Sequence, residues 1–324
     1  MVNRTSGKPI VPPAVGLLVG VLSASTAAPL IRIAQREAPS LAIAALRLVF
    51  AAVILTPFVL ANHRDEIRKL EKKTLISLTF CGLLLALHFA TWISSLEYTT
   101  VAVSVVLVAT TPLWVALLSP LVLHEKIKPL LWAGLGLALF GGVLVGFSQV
   151  CEFSGMNLAC TDLAKGRSYT GNFLALTGAL TFTGYLLIGR KYREKLPLIV
   201  YIWIVYGTAA LFLLVASLAA GNQLASYSGT VYLVCLVLAL GPQLLGHSSY
   251  NWALRYLPAA VIAVAQLGEP VSSAVLAFFL LKEIPSVLEV VGGCLILAGI
   301  FLTARLNTQT EPIKLEASKD PGEM

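Results

Sequence analysis

The chain has 324 residues, of which 57% are hydrophobic and 12% charged, with a mean hydropathy of +0.85. Ordinary soluble domains carry about 25% charged residues, so no soluble globular class fits. The net charge of +7 is scattered through short connections between apolar runs instead of forming one patch. That distribution excludes a nucleic-acid surface and matches the positive-inside rule.

Ten apolar segments follow one another, at about 13–34, 40–61, 74–95, 99–123, 129–148, 170–190, 198–220, 229–253, 258–281 and 286–305. Each is long enough for a hydrocarbon layer of roughly 30 Å. Where no water satisfies free backbone groups, a helix satisfies them internally, and the alternating ten-residue signature of a barrel is absent. The expected fold is an all-α integral membrane protein with ten transmembrane helices. The start of the chain, basic and then apolar with small residues at Ser23–Ala28, has the make-up of a signal peptide. Its removal would leave the first bundle a helix short, so it is read as the first span.

Lys and Arg assign the sides. Seventeen lie in the N-terminal tail, the even-numbered connections and the C-terminal tail, against five (Arg32, Arg36, Lys165, Arg167 and Lys282) in the odd-numbered ones. Both termini are therefore expected in the cytoplasm. The longest outer connection, 149–169, carries Cys151 and Cys160, either a disulfide or two free thiols. The five cysteines have no metal-ligand spacing; no metal, catalytic group or cofactor is expected. The tail, 306–324, has a disordered composition.

Residues 88–146 superpose on 246–304 at a constant offset of 158, with 16 of 59 positions identical. The telling matches are Tyr98/Tyr256, Pro112/Pro270, Glu125/Glu283, Gly134/Gly292 and Gly141/Gly299. A duplicated unit of five spans starts its second copy on the opposite side, so the copies, 13–148 and 170–305, form inverted repeats around a central cavity.

Glu269, midway along the ninth span in Gln266-Leu267-Gly268-Glu269-Pro270, is the sharpest signal. A charge there costs roughly 2.5–3.5 kcal/mol on insertion scales, so it either serves a proton-linked site or bonds within the turn Pro270 breaks. Arg47, inside the second span, either snorkels or pairs with a helix carbonyl, or it binds an anionic substrate group or pairs with Glu269. Gln243, His247, Tyr250 and Asn251 share one face of a regular helix. His88, Thr91, Trp92 and Ser95 have similar spacing in the third span. The two stripes read as walls of one cavity, or as interhelical hydrogen bonding. Pro29, Pro112, Pro242 and Pro270 interrupt their spans, and Gly16/Gly20 and Gly142/Gly146 suit close helix contact. Glu125 and Glu283, each ahead of a proline, read as helix starts.

Ala44-Ala45-Leu46-Arg47, Pro112 through Glu125, and Leu267-Gly268-Glu269-Pro270 through Leu281-Lys282-Glu283, in this order and duplicated, resemble the drug/metabolite transporter superfamily, specifically its EamA-type branch. The resemblance spans about 13–305. It implies a basket of helices, alternating access, and movement of small metabolites such as amino acids or aromatic compounds, often with protons as coupling ion. The expected protein is a multi-pass secondary transporter of the cell (inner) membrane, an exporter acting as monomer or homodimer. His88, Trp92, Gln243, His247, Tyr250, Asn251, Glu269 and Arg47 are its candidate substrate-binding residues. A sugar-phosphate or nucleotide-sugar exchanger needs more buried cations than Arg47 supplies. A lipid-acting enzyme needs paired acids or a His/Asp constellation that is missing. A passive channel is the remaining alternative, and no phosphate-binding loop for ATP is present.

Overall fold

The computed structural model describes residues 11–99, 104, 107–123, 129–148, 151–154, 157–160, 167–269, 271–272 and 287–307. Glu125, Glu283, Pro270 and the tail from 308 lie outside the described residues. The first span comprises α1 (Pro13–Ala24) and α2 (Ala27–Ala34), the second α3 (Ser40–Asn62), followed by a short exposed α4 (Arg64–Arg68). The third is α5 (Lys72–Tyr98), the fourth includes α6 (Thr111–Val122), and the fifth is α7 (Pro129–Ser148). An antiparallel hairpin, β1 (Cys151–Ser154) and β2 (Asn157–Cys160), sits in the connection, with Cys151 directly opposite Cys160 in the backbone register. α8 (Arg167–Arg193) and α9 (Leu198–Ala219) are the sixth and seventh spans. The eighth runs through α10 (Gly229–Leu238), a π-helical stretch Ala239–His247, and α11 (Ser248–Ala253). α12 (Ala259–Gln266) begins the ninth span, and α13 (Val287–Asn307) is the tenth.

Sequence explains most boundaries. Pro13, Pro39, Pro197 and Pro258 stand at or just before the first turns of α1, α3, α9 and α12, where a missing N–H is harmless and the fixed φ suits a helix. α9 stops at a Schellman turn. Gly221, at φ +80°, donates to Leu218 O (2.9 Å) and Asn222 N donates to Ser217 O (3.1 Å), a conformation glycine takes at little cost. Six helices among the described residues are long and apolar enough to cross a membrane, and Thr111–Val122, Trp132–Leu144 and Val290–Leu302 are shorter apolar stretches. Large apolar side chains such as Leu18, Phe58, Phe173, Leu211 and Leu233 face outward, as lipid requires.

The pairing of spans has a symmetry. Span one packs on span eight and three on six, while two packs on seven, four on nine and five on ten. Exchanging the five-span halves maps this set onto itself, the pattern of inverted repeats. The packed pairs run antiparallel. Gly134 meets Gly299 and Gly141 meets Gly292; Gly16 meets Trp252, Gly20 meets Tyr250 and Gly246 meets Ala24. The expected pair Gly16/Gly20 is thus a contact surface. Of the other pair, Gly142 has open space on its Cβ side, and its neighbour Gly141 makes the approach instead.

A Cβ on Gly299 would lie 2.5 Å from Gly134 O, whereas one on Gly136 would meet nothing within 4 Å. Gly299→Ala is therefore expected to destabilise the protein by ~1–3 kcal/mol, the usual range for overpacking, and Gly136→Ala to be neutral or better, as measured by thermal unfolding in detergent.

Candidate functional site

Four spans lose helical regularity at one place. The first breaks between Ala24 and Ala27, three residues before Pro29, where Ser25 Oγ donates to Val21 O (2.6 Å) and Thr26 Oγ1 to Ser23 O (2.8 Å). In the fourth, Pro112 cannot donate to Val108 O, and the Thr111 hydroxyl takes over that carbonyl at 2.7 Å. The eighth carries the π-helical stretch around Pro242. The ninth leaves α12 at Gln266, and Leu267 N reaches back to Val264 O (3.1 Å).

Between these breaks lies an open-mouthed cavity with an empty volume of about 780 Å³, including its mouth. Ala24, Ser25 and Ala28 line it from the first span, Thr111 and Pro112 from the fourth, Pro242 and His247 from the eighth, and Gln266 and Glu269 from the ninth. His88, Trp92 and Phe182 close the far wall. Glu269 lies ten residues past Ala259, about 15 Å along a helix at 1.5 Å per residue, half of a ~30 Å hydrocarbon layer.

The wall is aromatic with few polar points. The His88 and Trp92 rings stack at 5.7 Å, and Phe182 lies 4.5 Å from His88 and 5.8 Å from His247, edge-on. His88 Nδ1 is tied to Gly178 O (2.9 Å), which fixes its ring. Tyr250 donates to Glu269 Oε1 (2.8 Å) and stands behind that carboxyl, itself 1% exposed because Gly20 leaves room for its ring. Trp92 Nε1 and His247 Nδ1 are buried on this wall with no hydrogen-bond partner.

Of the eight candidates, His88, Trp92, His247 and Glu269 therefore reach the cavity. Tyr250 supports one of them. Gln243, Asn251 and Arg47 do not line it, which corrects the expectation of a single polar face on the eighth span. The cause is the π-helical stretch, whose i→i+5 bonding alters the angular spacing of side chains. Gln243 is turned toward the second span, where its Oε1 accepts from Arg47 Nε (3.0 Å). Asn251 faces the sixth and seventh spans. Tyr185 donates to Asn251 Oδ1 (2.8 Å), and Asn251 Nδ2 donates to Tyr206 Oη (3.1 Å). Arg193 Nε donates to Asn251 O (2.9 Å) and Arg190 to Leu254 O (2.8 Å), closing the carbonyl end of the eighth span. Arg47 and Glu269 form no hydrogen-bonded pair. Thr91, also on the third-span stripe, bonds to its own helix at Leu87 O, while Ser95 Oγ donates to Trp92 O and is also in hydrogen-bond contact with Ser104 Oγ of the fourth span (2.6 Å), an interhelical bond.

Phe89, Phe182, Tyr185 and Tyr206 escaped the sequence reading because aromatics in apolar runs are ordinarily core. Trp203 and Trp252 also make contacts within the bundle: Trp203 donates to Thr56 Oγ1 (3.0 Å) and Trp252 lies on Gly16. Among the described residues no cluster of three or more His, Cys, Asp or Glu could hold a metal.

The model of the EamA-like transporter family matches the chain twice, over residues 12–147 and 169–305. An uncharacterized transporter of Clostridium kluyveri is 23% identical over 279 residues, 85% of this chain and 86% of its own length. Uncharacterized transporters of Synechocystis sp. and Archaeoglobus fulgidus are 24% and 22% identical, over 68% and 71% of this chain and 64% and 74% of theirs. A solved crystal structure, 19% identical, superposes with a TM-score of 0.71 over 93% of this chain and 99% of its own, which is a likeness of fold.

If the cavity is wet, a cysteine placed at Ala109, on its wall, will react with a small water-soluble thiol reagent in a background whose native cysteines are replaced. One placed at Ala45, fully buried in the bundle, will stay unlabelled. Mass spectrometry of the labelled protein reads both.

Proposed function

Since the chain belongs to the EamA-like transporter family, a multi-pass membrane family of carriers, we propose that it moves a small organic solute through the cavity at the meeting of its two halves. The carrying observation is that four interrupted spans, two from each half, converge on one mid-membrane cavity that contains Glu269. Interrupted helices at such a depth are tolerated where they line a cavity, and breaks are where a helix can bend as access alternates.

The lining favours a solute with an apolar or aromatic body and a few polar groups, such as an amino acid or an aromatic metabolite. The faces of Trp92 and Phe182 offer stacking, while Glu269, His247 Nδ1 and the Trp92 N–H offer polar contacts. Among the described residues no Lys or Arg lines the cavity, which weighs against a phosphorylated solute. Export across the cell (inner) membrane with both termini in the cytoplasm follows the Lys/Arg distribution and the resemblance set out above. The two repeats suffice for one pathway, so a monomer is the minimal unit and a homodimer would duplicate it.

Glu269 is the group we assign to proton coupling. It sits on the pathway, exposed to the cavity on one side and held by Tyr250 on the other, so one carboxyl can meet solute and proton in turn. In proteoliposomes an imposed pH gradient should accelerate solute movement by the native protein, and Glu269→Gln should fall to the rate seen without a gradient. Unchanged gradient dependence in that variant would remove the proton from the mechanism, and rates indistinguishable from protein-free liposomes would remove the carrier.

A further inference from the structure

Among the described residues Arg47 has the most buried polar atoms without a hydrogen bond. It is 0% exposed, in the second span. Phe89 covers one face of its guanidinium at 4.3 Å and Gln243 accepts from Nε at 3.0 Å, yet Nη1 and Nη2 make no hydrogen bond. The amide Nε2 of Gln243 is buried beside it with no well-formed hydrogen bond, the Tyr206 hydroxyl being the polar group in reach. The two Nη groups of Arg47 thus lack acceptors, at a point where an unpaired donor costs more than a made bond returns. Glu269 interacts with Arg47 through its charge, yet no hydrogen bond joins the two, and its Oε1 is taken by Tyr250. Water would supply acceptors, but a buried guanidinium is held more tightly by acceptors that carry charge.

Resting on the carrier reading above, we infer that Arg47 and Gln243 form a buried subsite for a carboxylate group of the transported solute, reached from the cavity past Phe89 and His247. The donor set selects the ligand. A guanidinium with Nε already engaged presents its two Nη groups as a fork, which a planar carboxylate meets with two oxygens, and the Gln243 amide adds a third donor. A single cation balances one negative charge; a phosphate dianion would be left half neutralised. The path is short. Phe89, which covers Arg47, also meets the cavity-lining His247 ring at 5.3 Å, and Gln243 and His247 lie on the same π-helical stretch. Reshaping that stretch moves the wall and the subsite together. A carboxylate held at Arg47 leaves the apolar part of the solute against Phe182 and Trp92, and any basic group toward Glu269.

The test uses the full-length protein in detergent, with thermal unfolding as the readout and phenylacetate and phenylacetamide as probes of equal shape and different charge. Phenylacetate should stabilise the native protein and phenylacetamide should not. In Arg47→Gln the concentration of phenylacetate needed should rise roughly tenfold to a hundredfold, as loss of a charge-assisted hydrogen bond implies, and Gln243→Leu should raise it by less. Should Arg47→Gln fail to fold, Arg47→Lys keeps the charge without the fork and is expected to bind more weakly, and the acid–amide comparison on native protein decides by itself. Equal stabilisation by acid and amide, an unchanged response in Arg47→Gln, or no stabilisation by acetate, phenylacetate or 3-phenylpropionate overturns the subsite. Carboxylate binding without protein-dependent solute movement in liposomes would keep the subsite and remove the carrier reading; movement of uncharged solutes with no preference for carboxylates would do the reverse.

Discussion

Backbone hydrogen bonding in a medium without water is the constraint on which the rest of this molecule depends. Every peptide group within the hydrocarbon layer must find a partner in protein, so each departure from the helix is costly unless something nearby repairs it. The repairs are visible. Hydroxyls of Ser25, Thr26, Thr110 and Thr111 bond carbonyls three or four residues back, and Arg190 and Arg193 cover carbonyls at the end of the eighth span. Irregular backbone survives at mid-depth in this protein because it is concentrated around one cavity, where repair by side chains and solvent is possible. The cavity and the helix breaks are one feature.

A second requirement follows from the inverted arrangement. Two bundles inserted in opposite senses have to close on each other, and lipid supplies little hydrophobic push between helices. Close approach takes its place. Glycines on α7 and α13 meet across the fifth and tenth spans, and those on α1 admit the rings of Trp252 and Tyr250. The contact at Gly20 has a further effect, because it seats Tyr250 at the depth where its hydroxyl reaches Glu269. Packing between halves thereby positions a group of the site.

Much of the architecture was legible before any coordinates. Apolar run length gave the spans described from end to end to within a few residues, prolines marked several starts, and the constant offset of 158 revealed the duplication because special residues such as Pro112 and Gly141 recur where an apolar chain would not repeat them by chance. The site was less legible for a definite reason. Assigning Gln243, His247, Tyr250 and Asn251 to one face assumes α-helical spacing, and the π-helical stretch at Ala239–His247 breaks that assumption. Pro242 hinted at an irregularity but not at its kind. Nor does sequence separate Tyr185 and Tyr206, which hold Asn251, from tyrosines that merely pack, since the distinction lies in partners a hundred or fewer positions apart that only folding brings together.

The buried polar groups fall into two tiers, and the difference between them is informative. Around Asn251 the hydroxyls and amide of Tyr185, Tyr206 and Ser248 satisfy one another, with Arg193 fixing the backbone alongside. Such a network is closed: it gains nothing from a solute and resists being opened, which suits a region that keeps one end of the eighth span in place. Nearer the cavity the accounting is incomplete. Trp92 Nε1, His247 Nδ1, Gln243 Nε2 and both Nη groups of Arg47 make no hydrogen bond, and all lie on, or one side chain behind, the same wall. A protein free to satisfy these groups internally would be more stable and less able to bind. Gln35 Oε1 and Asn172 Oδ1 are also buried without a hydrogen bond and do not line this cavity, but the other atoms gather at one side of it, the pattern expected where missing partners arrive with the solute.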